Sequence, residues 1–269
     1  MYKLMIIIFL SFLVSCSAPE SESATSATDA EQEQKFPVAL DSLTQAHHLA
    51  EFHQKEVVSF DIELYFRNNL RLAGTIYSRT NSTAVLVDRY DGSKLLFDGQ
   101  EVYISPDTTA TKGARFDALT WSYFALAPFK FKDAGTNWTE NGSLPLDSGR
   151  ATYPSLKLTF GDNVGDAPDD WYIVFQEEET HLLKAMAYIV TFGDTPQEEA
   201  AKNPHAIVYS DYKLIEGVPF ATTWKFHNWN AADGLGSQLG EAHISNIEFT
   251  SEGDSLFVKT QQHKLVLLK

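Results

Sequence analysis

Between residues 57 and 66 apolar and polar side chains alternate: Val58, Phe60, Ile62, Leu64 and Phe66 against Ser59, Asp61, Glu63 and Tyr65. A period of two puts one set on one face of an extended chain, so this segment predicts a half-buried antiparallel strand. Leu70, Leu72, Gly74 and Ile76 predict a second strand after a turn at Asn68-Asn69. Asp91-Gly92 and Asp98-Gly99 sit between β-prone runs, and glycine tolerates the positive φ of tight hairpin turns. Residues 83–89, 93–98 and 101–105 therefore predict a meander. Helical spacing appears twice. Ser42-Leu43-Thr44-Gln45 matches a capping box, with Leu43, Ala46, Leu49, Ala50 and His53 on one face, which predicts a helix over 43–54. Phe116, Leu119, Tyr123, Phe124 and Ala127 recur at helical spacing up to Pro128, where the run is expected to end. A polar, loop-rich stretch covers 132–149. Seven more strands are expected near 153–160, 171–176, 181–190, 206–214, 218–228, 241–249 and 255–259, with a short helical turn within 194–204.

The pattern is therefore mainly β: a curved antiparallel sheet or half-barrel of about 11–12 strands with two covering helices. Helix is too sparse for an α/β arrangement, and hairpin turns oppose parallel pairing. No internal repeat is visible, and no Gly/Pro/Ser-rich linker divides 36–269, which reads as a single β domain.

The first residues add a destination. Lys3 precedes an apolar run from Leu4 to Val14, which Leu13-Val14-Ser15-Cys16 closes. Eleven residues are too few to span a bilayer, so 1–15 reads as a signal peptide, with cleavage before Cys16 and lipid on its thiol. Cys16 is the only cysteine of 269 residues, so no intramolecular disulfide forms. Residues 17–35 are mostly Ser, Ala, Thr, Glu and Gln, without aromatics, and read as a disordered tether. Cleavage removes one cation and no acid, taking the net charge from −15 to −16. That balance opposes nucleic-acid binding and charge-driven attachment to anionic membranes. The expected membrane contact is the lipid anchor alone.

The succession of a helix, VVSFDIELYF, LAGTIYS and a hairpin into LLFDGQEVYISPD resembles the opening half of the LolA/LolB-like lipoprotein-carrier superfamily. The resemblance covers roughly residues 43–127 by pattern. It implies an incomplete antiparallel barrel covered by helices around an apolar cavity for acyl chains. It also implies an arginine on an early strand that holds the lid closed, for which Arg71, Arg79 and Arg89 are all candidates. A lipidated cysteine is a feature of the receptor branch rather than the soluble carrier. Ser17 after Cys16, by resemblance to the sorting rule of enteric bacteria, implies the outer membrane. The segments DAPDDW and PFKFKDAG also resemble those of a group of Gram-negative lipoproteins, and this implies no activity.

Catalytic signatures are sparse. Gly236-Ser237-Gln238-Leu239-Gly240 has the wrong spacing for a nucleophile elbow, and Gly234-Leu235-Gly236 with Gly240 misses the dinucleotide fingerprint by one residue. Residues 230–240 read as a flexible hairpin loop. His47, His48 and His53 do not share a face and read as structural rather than metal ligands. The loop 161–170 holds four aspartates; it reads as a turn bonded to its own backbone, with a Ca²⁺ site as the alternative. No metal, cofactor or catalytic residue is expected. Among the large aromatics, Phe60, Phe66, Trp121, Phe124, Trp171, Trp224 and Phe226 lie on or beside apolar faces.

These features point to a binding protein of the cell envelope, outer-membrane anchored, that takes a lipid, a lipoprotein or another amphiphile. The expected ligand-binding residues are Phe60, Ile62, Leu64 and Phe66 on the first strand and Phe116, Leu119, Tyr123 and Phe124 on the second helix. A structural or protein-interaction lipoprotein without ligand is the alternative. An envelope hydrolase or lyase centred on the acidic loop comes third.

Overall fold

A computed structural model describes residues 36–147, 151–162, 164–193, 195–251 and 253–267. The signal peptide, Cys16 and the tether lie outside the described residues. Phe36–Lys269 forms one compact unit. The chain enters through two short helices, α1 (Val38–Ala46) and α2 (Leu49–His53), and then β1 (Val57–Phe66), β2 (Asn69–Arg79), β3 (Val85–Arg89), β4 (Lys94–Phe97) and β5 (Val102–Ser105). The long helix α3 (Ala114–Lys130) precedes β6 (Thr136–Pro145), β7 (Thr152–Phe160), β8 (Tyr172–Gln176) and β9 (Leu183–Tyr188). A single turn, α4 (Gln197–Ala200), leads to β10 (His205–Ile215), β11 (Val218–Asn230) and β12 (Gly234–Thr250), followed by α5 (Gly253–Leu256) and β13 (Lys264–Val266).

All thirteen strands join one sheet in the order β13-β5-β4-β3-β2-β1-β12-β11-β10-β9-β8-β7-β6. Two meanders are thus sewn together where β1 pairs antiparallel with β12, Ile62 facing Ile244. The end strands β13 and β6 leave the sheet unclosed, an antiparallel half-barrel with covering helices, as the sequence implied. Bulges in the β1/β2, β1/β12 and β11/β12 ladders add the local bend and twist that curve it. Gly74 is obligatory at this bend: a Cβ there would lie 2.5 Å from the Asp88 carbonyl oxygen. Phe60, Ile62 and Leu64 are fully buried within the principal core, which also takes Leu40 and Leu43 from α1 and Phe52 from α2. Ile173, Phe175, Ala185, Ala187 and Ala206 form a second cluster with Leu146 and Trp229 on the opposite face of β8–β10. Strands covered on both faces lose their alternation, which is why β8 and β9 read as continuous apolar runs.

Five local expectations are corrected. The predicted helix over 43–54 is two helices, because Pro37 caps the first and His48 breaks the chain at φ 53°. Ser42 lies inside α1, and its hydroxyl donates to the Val38 carbonyl at 3.3 Å instead of capping. Pro128 does not end the second helix. It removes the amide that would bond the Phe124 carbonyl, but the Tyr209 hydroxyl donates to that oxygen at 3.1 Å and the helix continues to Lys130. The polar stretch after Lys132 contains β6, an edge strand held by pairing with β7. The glycine-rich 234–240 segment is strand rather than loop, with its turn at 231–233. Instead of a strand, 255–259 begins in the turn of α5.

Candidate functional site

The helix α3 spans the mouth of the half-barrel, and polar anchors along its first half hold it there. It packs on β3, β4 and β5. Asp117 is buried on its first turn and receives the Arg71 guanidinium from β2 through two bonds, Nη1 to Oδ2 at 3.1 Å and Nη2 to Oδ1 at 2.7 Å. Arg89 of β3 donates Nη2 to Oδ2 at 2.7 Å, and the Trp121 indole donates to Oδ1 at 2.9 Å. Two arginines and an indole thus converge on one carboxylate in a low-dielectric setting, where such bonds are shorter and stronger than neutral ones. Of the three arginines that the resemblance nominated, Arg71 and Arg89 both grip α3. Arg79 instead lies over the Phe257 ring, 5.3 Å from its centroid. A second anchor ties α3 to the loop between β7 and β8. Arg115 Nη2 donates to Asp166 Oδ1 at 2.9 Å, its Nε also meets Asp166, and Nη1 donates to Glu101 Oε2 at 3.1 Å.

Two cavities adjoin the underside of α3. The larger, about 560 Å³, runs along the helix past Arg115, Phe116, Leu119, Tyr123, Phe124 and Lys130. Its far wall is Phe160, Tyr172, Tyr188, Val190 and Phe192. The second, about 500 Å³, lies toward β1, β11 and β12 and is lined by Phe66, Trp121, Phe226 and Leu239, with Arg67, Arg71 and His205 at its polar side. Phe116, Phe124, Tyr188 and Val190 border both. Ring contacts stiffen the walls of both cavities: Phe124 to Tyr188 at 5.0 Å, Phe116 to Phe192 at 5.5 Å, Tyr123 to Tyr172 at 5.6 Å and Phe66 to Phe226 at 5.1 Å between centroids. Gly240 lets the Phe66 ring lie flat on β12, since a Cβ would sit 2.6 Å from its Cδ1. A third space of about 290 Å³ lies between α1 and β6–β8.

Burial at the cavity wall shifts several of its titratable groups. Burial pushes the phenols of Tyr123, Tyr172 and Tyr188 well above their usual range, so they stay neutral. Asp170 is pushed up to about 6, chiefly by burial, although the Thr191 amide and hydroxyl donate to its Oδ1 at 2.7 and 2.8 Å and hold it down in part. Burial lowers the Lys130 ammonium, and the charge of Asp133 partly offsets this.

The eight expected ligand-binding residues separate into three groups. Phe116, Leu119, Tyr123 and Phe124 all line the larger cavity. Phe66 lines the second, with Phe116 and Phe124. Phe60, Ile62 and Leu64 lie in the core, away from both linings. The expected turn bonded to its own backbone is corrected for two of the four aspartates: Asp166 pairs with Arg115 of α3 and Asp170 accepts from Thr191, both partners lying outside the loop. Asp117 and Lys130 were not anticipated. Asp117 finds its partners 46 and 28 residues away in sequence, beyond any local pattern.

No family model matches the sequence, and no curated protein matches it. Solved structures do. One is a LolA superfamily protein from Nitrosomonas europaea, with a TM-score of 0.52 at 11% identity, over 82% of this chain and 96% of that one. A domain described as an outer membrane lipoprotein-sorting protein, from Vibrio parahaemolyticus, scores 0.49 at 9% identity over 79% and 94%. A DUF1329 family protein from Desulfovibrio piger scores 0.47 at 11% identity over 82% and 96%. The open half-barrel of this chain, with its covering helices, thus shares its fold with the LolA superfamily protein from Nitrosomonas europaea.

Proposed function

We propose that this chain is a lipid-anchored protein of the outer membrane that holds an acyl chain, of a lipid or of a lipoprotein, between α3 and the concave sheet. The observation that carries the reading is the aromatic-walled cavity of about 560 Å³ beneath a helix held by buried ion pairs. Its size lies within the range of small-molecule sites, roughly 300–1,000 Å³. Each methylene moved there from water contributes about 0.8 kcal/mol, so a long acyl chain has ample driving force. The shared fold supports the same reading, because the superfamily resemblance implies an acyl-chain cavity. In this reading the anchor is the lipid on Cys16, which fixes the domain to the membrane.

Native mass spectrometry of the full chain carrying Cys16→Ser tests the cavity without a covalent lipid. A co-purifying amphiphile, or uptake of added hexadecanoate, is expected. The alternative of an interaction protein without ligand draws support from Phe60, Ile62 and Leu64, which are fully buried against protein rather than facing open space. Absence of both bound lipid and uptake would favour that alternative. For the anchor, mass spectrometry of the N-terminal peptide from native membranes should find acylated Cys16, and a free thiol there would refute it.

A further inference from the structure

The larger cavity contains one feature that an acyl chain alone does not explain. Lys130 lies in the last turn of α3, between the buried rings of Phe129 and Phe131, and its ammonium lines the cavity. Its hydrogen-bond partner is the Ser82 hydroxyl, on the turn between β2 and β3. Among the described residues no carboxylate comes within 4 Å of it. Asp133 acts on it only through space. The other charges of the cavity are engaged. Arg115 is paired with Asp166 and Glu101, and Asp170, which also lacks a cation, is held by two donors of Thr191.

A half-buried ammonium whose close partner is a hydroxyl is costly, because the more distant charge of Asp133 offsets its desolvation only in part. A role in compensating the helix dipole does not require burial, since a lysine in the last turn does this equally well from the surface. We propose that Lys130 is the head-group anchor of the cavity, so that its ligand is an anionic amphiphile with a carboxylate or phosphate beside Lys130 and Ser82. The inference rests on the acyl-binding reading above and specifies the ligand class of the same site. The cavity follows α3 from Arg115 to Lys130, which at 1.5 Å per residue is about 22 Å. Such a length suits one extended tail running from a head at Lys130 along Tyr123, Leu119 and Phe116. An arriving anion supplies the missing charge where water is scarce, and there a charge-assisted bond is strongest.

The test compares three ligands with the same tail: hexadecanoate, hexadecyl phosphate and hexadecanol. Each displaces the uncharged dye N-phenyl-naphthylamine from the full chain carrying Cys16→Ser, and from the same chain with Lys130→Met. Methionine keeps the side chain's length and apolar stem, and far-UV circular dichroism checks that the variant folds. At least one anionic ligand should bind tenfold or more tightly than hexadecanol, and Lys130→Met should abolish that preference. The ratio of carboxylate to phosphate binding identifies which head group the site prefers. If hexadecanol binds as tightly as both anions, or if Lys130→Met leaves the preference intact, the head-group role is wrong while the acyl cavity stands. If the dye and all three ligands fail to bind, the acyl cavity itself is wrong, and the anchor with it.

Discussion

The ion pairs on Asp117 make a quantitative prediction. Asp117→Asn keeps the volume and leaves an oxygen for the Trp121 indole, but removes the charge that two guanidiniums share. Breaking a buried pair by neutralising one partner costs about 3–5 kcal/mol, because the other charge stays desolvated. The two arginines differ here. The Arg71 side chain is 41% exposed and can turn to water, whereas that of Arg89 is 15% exposed and cannot. The cost should therefore fall at the lower end, about 3 kcal/mol. For a domain of this size each kcal/mol shifts Tm by roughly 2–4 °C, so a fall of about 6–12 °C is expected. Thermal unfolding at pH 7 measures it, with Asp88→Asn as control. The Asp88–Lys94 pair is exposed, with 36% and 46% of its side chains in solvent, and should shift stability by less than about 1 kcal/mol. Hydrogen exchange adds the local readout: amides of 114–124 should exchange faster in Asp117→Asn. A variant that melts within 1 °C of the parent with unchanged exchange would refute the claim that this cluster holds α3 down.

Three other outcomes follow from named groups. Burial holds His47 at a pKa of about 3, and the neutral ring accepts the Leu183 amide at Nε2. The unfolded chain therefore takes up a proton below pH 6.5 that the folded chain refuses, so stability is lost as pH falls from 6.5 toward 3. At pH 4 this component amounts to about 3 kcal/mol, and its absence from the difference in pH–stability profile between parent and His47→Gln would count against it. Tyr209→Phe removes the donor that compensates Pro128 and should cost about 1–2 kcal/mol in urea unfolding; a neutral variant would mean that water satisfies the Phe124 carbonyl. Leu119→Trp should fill the larger cavity and block hexadecanoate uptake with little loss of Tm, and undiminished uptake would place the ligand elsewhere.

The strands read most clearly were those with one wet face. Val58 to Phe66 alternates because its other face meets solvent in part, at Asp61, Glu63 and Tyr65, and the Asp-Gly turns mark themselves by the positive φ of Gly92 and Gly99. The strand β6, with the sequence TNWTENGSLP, was invisible because it is a polar edge whose existence depends on β7. Pro128 misled for the same kind of reason: its helix survives through Tyr209, 81 positions further along the chain. At the site, the helical half of the expected residues lines the cavity because helical spacing marks the face of α3 turned inward. Of the β1 half, Phe60, Ile62 and Leu64 pack into the core and Phe66 lines the second cavity, since an apolar strand face does not reveal whether it meets protein or space. Lys130 sits inside the distinctive PFKFKDAG segment, yet only the fold shows that it lines a cavity beside the Ser82 hydroxyl.

Photolabelling with a hexadecanoate analogue that carries a diazirine along its tail tests the central claim most directly. The full chain with Cys16→Ser is irradiated with the ligand, digested, and the modified residues are located by tandem mass spectrometry. A site between α3 and the sheet requires labels within 116–124 and on the facing wall at 172 and 188–192, suppressed by excess unlabelled hexadecanoate and by Leu119→Trp. Labels confined to the outer surface, or labels in the cavity that neither competitor nor Leu119→Trp reduces, would contradict an internal acyl-chain site.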